Sequence, residues 1–387
     1  MLRGTTTKRS PLDAQAIVTA LQAGGVAHLQ GEPSIWVIID GSDLRKPHAA
    51  EMAYLQRVKR LQGEGTVPGY PTLNVIGLGK ERRGLLYHRL YSSAAPDFVS
   101  APAEVRTAIR SVGMALAEPA AAGTDITAII DSGLDDQAVW AEIWEQGWSL
   151  VGRLCHDTRL VRPAPAAPLV ALTTMAQRLQ PLAQVQTELV VQKLGQPRPK
   201  LQPVTATIAA TPVVVPYHGR QVAAATQERA CWLLQVRLER VKLEPWWLIT
   251  DRPVETAEQA TEIFRMYRQR WSIEDAFKVA KTCLGWEEVQ VLDYEAVRLL
   301  VALGWVAAGF LFQLGVSLEW PEVQRLQRLG GGEARADRPP GKQVLSRGLR
   351  RLFDLLATEA ILADAERQHG GLPPRIAAML GRPTATP

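Results

Sequence analysis

"SIWVIID", residues 34–40, is the stretch on which the reading of the fold turns. Five apolar residues in a row, three of them isoleucine, are too few for a helix and suit a strand buried on both faces. Asp40 closes the run and the small residues Gly41 and Ser42 follow. "ITAIIDSG", residues 126–133, repeats the pattern with Asp131. Between the two, "TLNVIGLG" and "GLLYHRLYSS" read as a hairpin around the charged turn "KERR", and "AEVRTAIRSVGMALAE" (103–118) reads as a helix. After Asp131 come a helix, "DQAVWAEIWEQG", and another strand, "WSLVGRL". Strand, hairpin, helix, strand, helix, strand is the order of a mixed α/β sheet with helices on its faces. Ahead of it, "LDAQAIVTALQAG" reads as a short helix; between the first strand and the hairpin, the segment Arg45–Arg60 reads as a helix that is basic in its second half.

The chain has 387 residues, 47% hydrophobic and 21% charged, enough for two or three structural units of ordinary globular composition. A net charge of +5 leans mildly toward polyanionic partners. Cys155, Cys231 and Cys283 form no C-x-x-C pair, which points away from a thiolate zinc centre and toward a reducing, cytoplasmic setting. "LLVALGWVAAGFLFQLGV" (299–316) is at the lower edge of membrane-spanning length and contains three glycines; it reads as a buried core helix, with no membrane partner expected.

From about 157 the texture becomes proline-punctuated and β-prone ("VQTELVVQKL", "TATIAATPVVVPY", "CWLLQVRLERV"). "WWLIT" then returns to a strand, and the proline- and glycine-free run 254–284 reads as helix. The expected organisation is a short helical segment (1–32), the first part of a catalytic domain (33–156), a β-rich insertion (157–245), the second part (246–318) and a helical tail (319–387). The tail combines the glycine-rich "GGGEARADRPPGK" with the basic amphipathic "VLSRGLRRLFDLLA".

Asp40 and Asp131 each end an apolar strand at the sheet edge where α/β sheets build sites. Singly, either carboxylate is as well explained as a turn or helix cap. Converging, the two would repel unless a cation lay between them, and oxygen donors of this kind suit a hard divalent metal. In "YRQRWSIEDAFKVAK" (267–281), Tyr267, Arg270, Glu274 and Lys281 sit at offsets of 0, 3, 7 and 14. On one helix they share a stripe about 60° wide, beside the apolar Ile273, Phe277, Ala280 and Leu284. Taken alone, Arg270 and Glu274 are an ordinary i, i+4 surface pair.

The spacing Tyr267-x2-Arg270-x3-Glu274-x6-Lys281 matches in full the Y-R-E-K motif of the IS4-type DDE transposases. The flanking Trp271, Ile273 and Phe277, "IIDGSD", "IIDSGLDDQAVWAEIWEQGWSLVGRL" and the tail "GGGEARADRPPGKQVLSRGLRRL" resemble that family too. The resemblance implies a ribonuclease H-like catalytic domain with a β-rich insertion before the last catalytic helix. It implies Asp40, Asp131 and Glu274 as catalytic residues and ligands of two Mg²⁺ ions, with Mn²⁺ as a substitute. Tyr267, Arg270 and Lys281 would grip DNA phosphates. The implied activity is strand cleavage and strand transfer on double-stranded DNA, transposon ends and target, by a homodimer on paired ends near the nucleoid. Two departures stand out: Ser132 replaces a frequent arginine, and the residues before Asp40 make room for only one or two short helices where the family usually carries an end-recognition domain. The alternative expectation is therefore a truncated, catalytically silent DNA-binding remnant.

Overall fold

The computed structural model describes residues 13–61, 63–117, 123–155, 159–191, 200–217, 227–239, 243–333 and 341–369, with 377, 379 and 381. Two compact units emerge, Met1–Lys281 with Gly285–Gly309, and Thr282–Leu284 with Phe310–Pro387.

The first unit runs α1 (Ala14–Leu29), β1 (Ser34–Arg45), β2 (Gln56–Lys59), β3 (Thr66–Leu78), β4 (Arg83–Leu90), α2 (Ala101–Leu116), β5 (Asp125–Ile130), α3 (Gln137–Glu145) and β6 (Ser149–Arg153). There follow the two-residue strands β7 (Leu160–Val161) and β8 (Val170–Ala171), α4 (Leu172–Met175), and the long β9 (Gln180–Val191), β10 (Lys200–Tyr217) and β11 (Gln227–Leu238). β12 (Trp246–Thr250), α5 (Ala257–Arg268), α6 (Ser272–Thr282) and α7 (Tyr294–Ser317) complete the order, α7 continuing into the second unit.

Among the described residues, ten strands form one sheet in the order β2–β3–β1–β5–β6–β12–β11–β10–β9, with β4 beside β3. β1 lies antiparallel to β3 and parallel to β5, and β5 parallel to β6. The fold is α/β, a mixed sheet flanked by helices. Its centre is dry: Val37, Ile38, Ile39, Ala128, Ile129, Ile130, Leu150 and Val151 are all fully buried, as strands covered on both faces require. From β6 onward the pairing turns antiparallel, and β9–β11 extend the same sheet through β12.

Two local expectations change. The segment 45–60 is not helical. β1 runs on to Arg45, pairing with β3 as far as Gly69, and β2 adds to the other edge of β3. Gly69 makes this possible, since a Cβ there would stand 2.4 Å from the Leu44 carbonyl oxygen and 2.6 Å from Val58. Pro47 supplies no N–H, and the Lys46 ammonium is committed to the carbonyls of Glu287 and Val289. The run 254–284 is likewise not one helix. α5 starts at a Thr256–Gln259 capping box and tightens into a 3₁₀ turn at Gln269–Trp271, after which α6 begins.

α7 is, among the described residues, the one helix long and apolar enough to cross a membrane, with 44% of its most apolar window buried. Val297, Val301, Ala302, Trp305 and Ala308 are interior residues, and Trp305 stacks on Trp286. In the second unit α8 (Trp320–Leu329) packs on α9 (Lys342–His369). Gly348 lets the two backbones meet, because a Cβ there would lie 2.0 Å from the Leu326 carbonyl oxygen. Of the glycine-rich linker, residues 334–340 lie outside the described set.

α1 lies flat on the hairpin through a second such contact. A Cβ on Gly25 would sit 2.2 Å from the Leu85 carbonyl oxygen, and one on Gly84 2.6 Å from that of Gly25. Gly25→Val should therefore lift α1 off the sheet and cost about 1–3 kcal/mol in urea unfolding. An unchanged midpoint would mean that α1 does not contribute to the folded core.

Candidate active site

Ile39 and Ile130 are the last paired residues of the parallel β1–β5 ladder. Beyond them β5 turns away at Asp131, while β1 continues along β3. Asp40 and Asp131 therefore stand side by side where the two strands part. An open cleft of about 500 Å³ starts at this parting, lined by both aspartates. Crevices of this kind, beyond the carboxyl ends of parallel strands, are where open α/β sheets bind ligands.

The two carboxylates meet one guanidinium. Arg270, 9% exposed, places Nη1 2.6 Å from Asp40 Oδ2 and 3.8 Å from Asp131 Oδ2, while its Nη2 donates to Glu274 Oε1 at 3.2 Å. The 3₁₀ turn carries this side chain between the strand ends, one turn before Glu274 on α6. Asp131 keeps a capping role as well, for its Oδ1 accepts from the Ser132 N–H at 2.7 Å. The same oxygen accepts from the Tyr267 hydroxyl at 3.2 Å.

Burial sets the electrostatics. It pushes Asp40 up from 3.8 to about 6, and the repulsion of Asp131 adds to this, against the opposing pull of Arg270. Burial also lifts the Tyr267 hydroxyl above its ordinary range, Asp131 adding and Arg153 opposing. Arg270 resists its own burial: Asp131 and Asp40 hold its pKa above the usual value.

Five of the sequence-derived residues thus bear on one point: Asp40, Asp131 and Glu274 through Arg270, and Tyr267 through Asp131. Lys281 does not join them. Its ammonium lies 3.7 Å from Glu287 Oε1, and burial lowers its pKa while Glu287 opposes. Glu287 also takes Arg45 at 3.3 Å, so Lys281 belongs to a neighbouring charge cluster on the far stretch of β1. Nothing in "WEEVQV" marks Glu287 as its hub. Arg153, at the end of β6, stacks over Trp246 at 5.6 Å, and Trp246 packs against Tyr267 and Trp271. Trp246 is buried, and Trp232 and Trp247 are half-buried, as core tryptophans are.

Asp251, the third aspartate to follow an apolar strand, is a structural anchor. It accepts from the Leu150 N–H and pairs with Arg229. On the other side of Asp40, Asn74 and His88 stand in register across β3 and β4. Asn74 Oδ1 meets His88 Nδ1 at 2.8 Å, and burial lowers the histidine to about 3, so the row beside Asp40 stays neutral.

Among the described residues, no three acidic, histidine or cysteine side chains stand close enough together to hold a metal ion. Arg270 accounts for this, because it already occupies the focus of the carboxylates. The donor set still fits a hard divalent cation. Three carboxylates against one guanidinium leave two negative charges uncompensated when all are ionised, and only oxygen donors are offered. Arg270 Nε is buried without a hydrogen-bond partner among the described residues, a spare donor for an anionic ligand. No protein-family model matches the chain.

The Asp40 shift has a definite sign. The folded protein holds this proton more tightly than the unfolded chain, so its contribution to stability is complete below about pH 4 and is lost as pH rises through about 6. The change from 3.8 to about 6 corresponds to roughly 3 kcal/mol. Without divalent metal, the native chain should lose stability on this scale between pH 4.5 and 7, and Asp40→Asn should remove that part of the slope. Superimposable pH profiles would place the proton elsewhere.

Proposed function

We propose that the chain is a DNA transposase of the DDE kind, performing metal-dependent strand cleavage and strand transfer. The observation that carries this reading is the convergence of Asp40, Asp131 and Glu274, from β1, β5 and α6, on the Arg270 guanidinium. Stability alone gives no reason to bring three acids to one buried arginine, since such clusters rarely repay their desolvation. The strand order β4–β3–β1–β5–β6, antiparallel in its first half and parallel in its second, supports the finer ribonuclease H-like reading.

In this reading Asp40, Asp131 and Glu274 would hold two Mg²⁺ ions, which would supply Lewis-acid stabilisation of the charge that develops on the reacting oxygens. The protein's own part is placement and charge. Arg270 moves from the carboxylates to a phosphate oxygen, offering a planar fork with its spare Nε. Tyr267 would turn its hydroxyl, which burial keeps protonated, from Asp131 to a phosphate oxygen. Arg153 adds a second guanidinium at the end of the next strand. Water is the nucleophile of the first cut, leaving a 3′-hydroxyl and a 5′-phosphate, and the 3′-hydroxyl is the nucleophile of strand transfer. Partner DNA is double-stranded, at element ends and target, with two copies of the chain on paired ends.

The direct test is nicking of plasmid DNA carrying the flanking ends, with Mg²⁺ or Mn²⁺. The native chain should nick and Glu274→Gln should not. A folded native chain that binds DNA and metal without nicking would point to the silent remnant instead.

Arg270 gives a second test. Arg270→Gln should bind Mn²⁺ about tenfold more tightly by calorimetry, since a cation competes with the guanidinium for the same oxygens, and should bind DNA more weakly. Unchanged Mn²⁺ affinity would separate the carboxylates from any metal role.

A further inference from the structure

β2 forms a wall of the cleft that begins at Asp40 and Asp131. Its residues alternate in burial: Arg57 and Lys59 are exposed and Val58 between them is buried. Two residues of strand rise put their Cα atoms about 6.6–6.8 Å apart with both side chains on one face, and two cations side by side on one strand suit neighbouring phosphates of a nucleic-acid strand. Both residues line the cleft together with the two aspartates.

The wall is built rather than loose. Gln56 Oε1 accepts from the N–H of Ser93 and from its hydroxyl at 2.7 Å, pinning the start of β2 to the segment after β4. Val58 fills the space above Gly69. Arg57 is oriented by Thr66, donating from Nε to the hydroxyl at 3.0 Å and from Nη2 to the carbonyl at 2.8 Å, which leaves Nη1 for a ligand. The Lys59 ammonium has no partner among the described residues, and the Lys59 carbonyl is fixed by Arg45 Nε at 2.8 Å. One cleft thus presents Asp40 and Asp131 at its inner end, Asp43 and Asp136 elsewhere on its lining, and two cations along β2, of which Arg57 is held in place by Thr66. A free carboxylate or a small phosphate would meet only part of this. A polyanionic chain that passes the acids with one reacting phosphate, and continues past the cations with the next ones, meets all of it.

We propose that Arg57 and Lys59 on β2 bind the phosphate backbone of the DNA strand leading to the reacting phosphate, and so set the path of the duplex across the site. This inference rests on the transposase reading and assigns the side of the cleft along which the DNA lies. Edge strands otherwise use such cations to deter pairing with other chains, and that use needs neither the cleft nor the fixed orientation.

The experiment is binding to a random-sequence duplex in EDTA between 50 and 200 mM salt. The full native chain is compared with Arg57→Gln/Lys59→Gln and with a charge-matched control, Lys80→Gln/Arg237→Gln, at two exposed positions away from the cleft. Each phosphate contact contributes about 0.9 to the slope of log affinity against log salt. The β2 variant should lose about 1.8 from that slope, and the control less than half as much, with the thermal midpoint of both close to native. Equal losses in the two variants would reduce the cations to a general field and overturn the proposal. A native chain with no salt-dependent binding would overturn the nucleic-acid reading itself, whereas a native slope kept intact in the β2 variant would leave that reading standing and remove β2 from it.

Discussion

The Arg270 guanidinium, buried among three carboxylates, is the interaction on which the rest of the site depends. Asp40 is largely buried and has Asp131 as its neighbour, and both favour its protonated form unless a cation offsets them. Arg270 provides that cation from within the chain. It reaches the aspartates only because the helical run breaks at residues 269–271, which turns its side chain inward between the strand ends. Glu274, one turn on and more than half exposed, is tied to the same group from the solvent side. Fold and site therefore share one electrostatic constraint: two strand ends carrying negative charge are held together by a residue from a distant segment.

The cleft has a mechanical origin in strand lengths. β5 stops at Ile130, whereas β1 runs six residues past Ile39, supported by β3. The gap opened by this mismatch cannot close, since Asp131 begins a 3₁₀ turn that leads the chain away. Gly69 lets β2, β3 and the overhanging half of β1 approach closely, so the overhang is a stiff wall rather than a loop. The same feature that exposes the aspartates also presents β2 beside them.

Much of this was legible in the sequence, because burial on both faces leaves a strong signature. The runs 35–39 and 126–130 could hardly be anything but central strands, and each marked its aspartate. The offsets of Tyr267, Arg270 and Glu274 suggested one helical stripe; the structure instead brings them together across a 3₁₀ turn between two helices. Other features depended on partners far away in sequence. Arg45–Arg60 read as a helix basic in its second half, yet pairing with β3 and the missing N–H at Pro47 set an extended path there instead. Lys281 shared the helical stripe, but the stripe bends at the 3₁₀ turn and Glu287 lies nearer. No local pattern announces a salt bridge between residues brought together by the fold.

Opposed charges in a single cleft carry a chemical implication. A carboxylate cluster alone repels a polyanion, and a basic strand alone binds one without acting on it. Placed on two sides of one opening, they would, under the proposed function, draw a phosphate chain in while keeping uncompensated oxygens at the point of reaction. Arg270 links the two functions, since it is the cation that a phosphate would attract and the counter-ion that the carboxylates would surrender. Any ligand that pulls Arg270 outward raises the negative charge left at Asp40, Asp131 and Glu274. By thermodynamic linkage, anion binding and cation binding at this site must then favour each other.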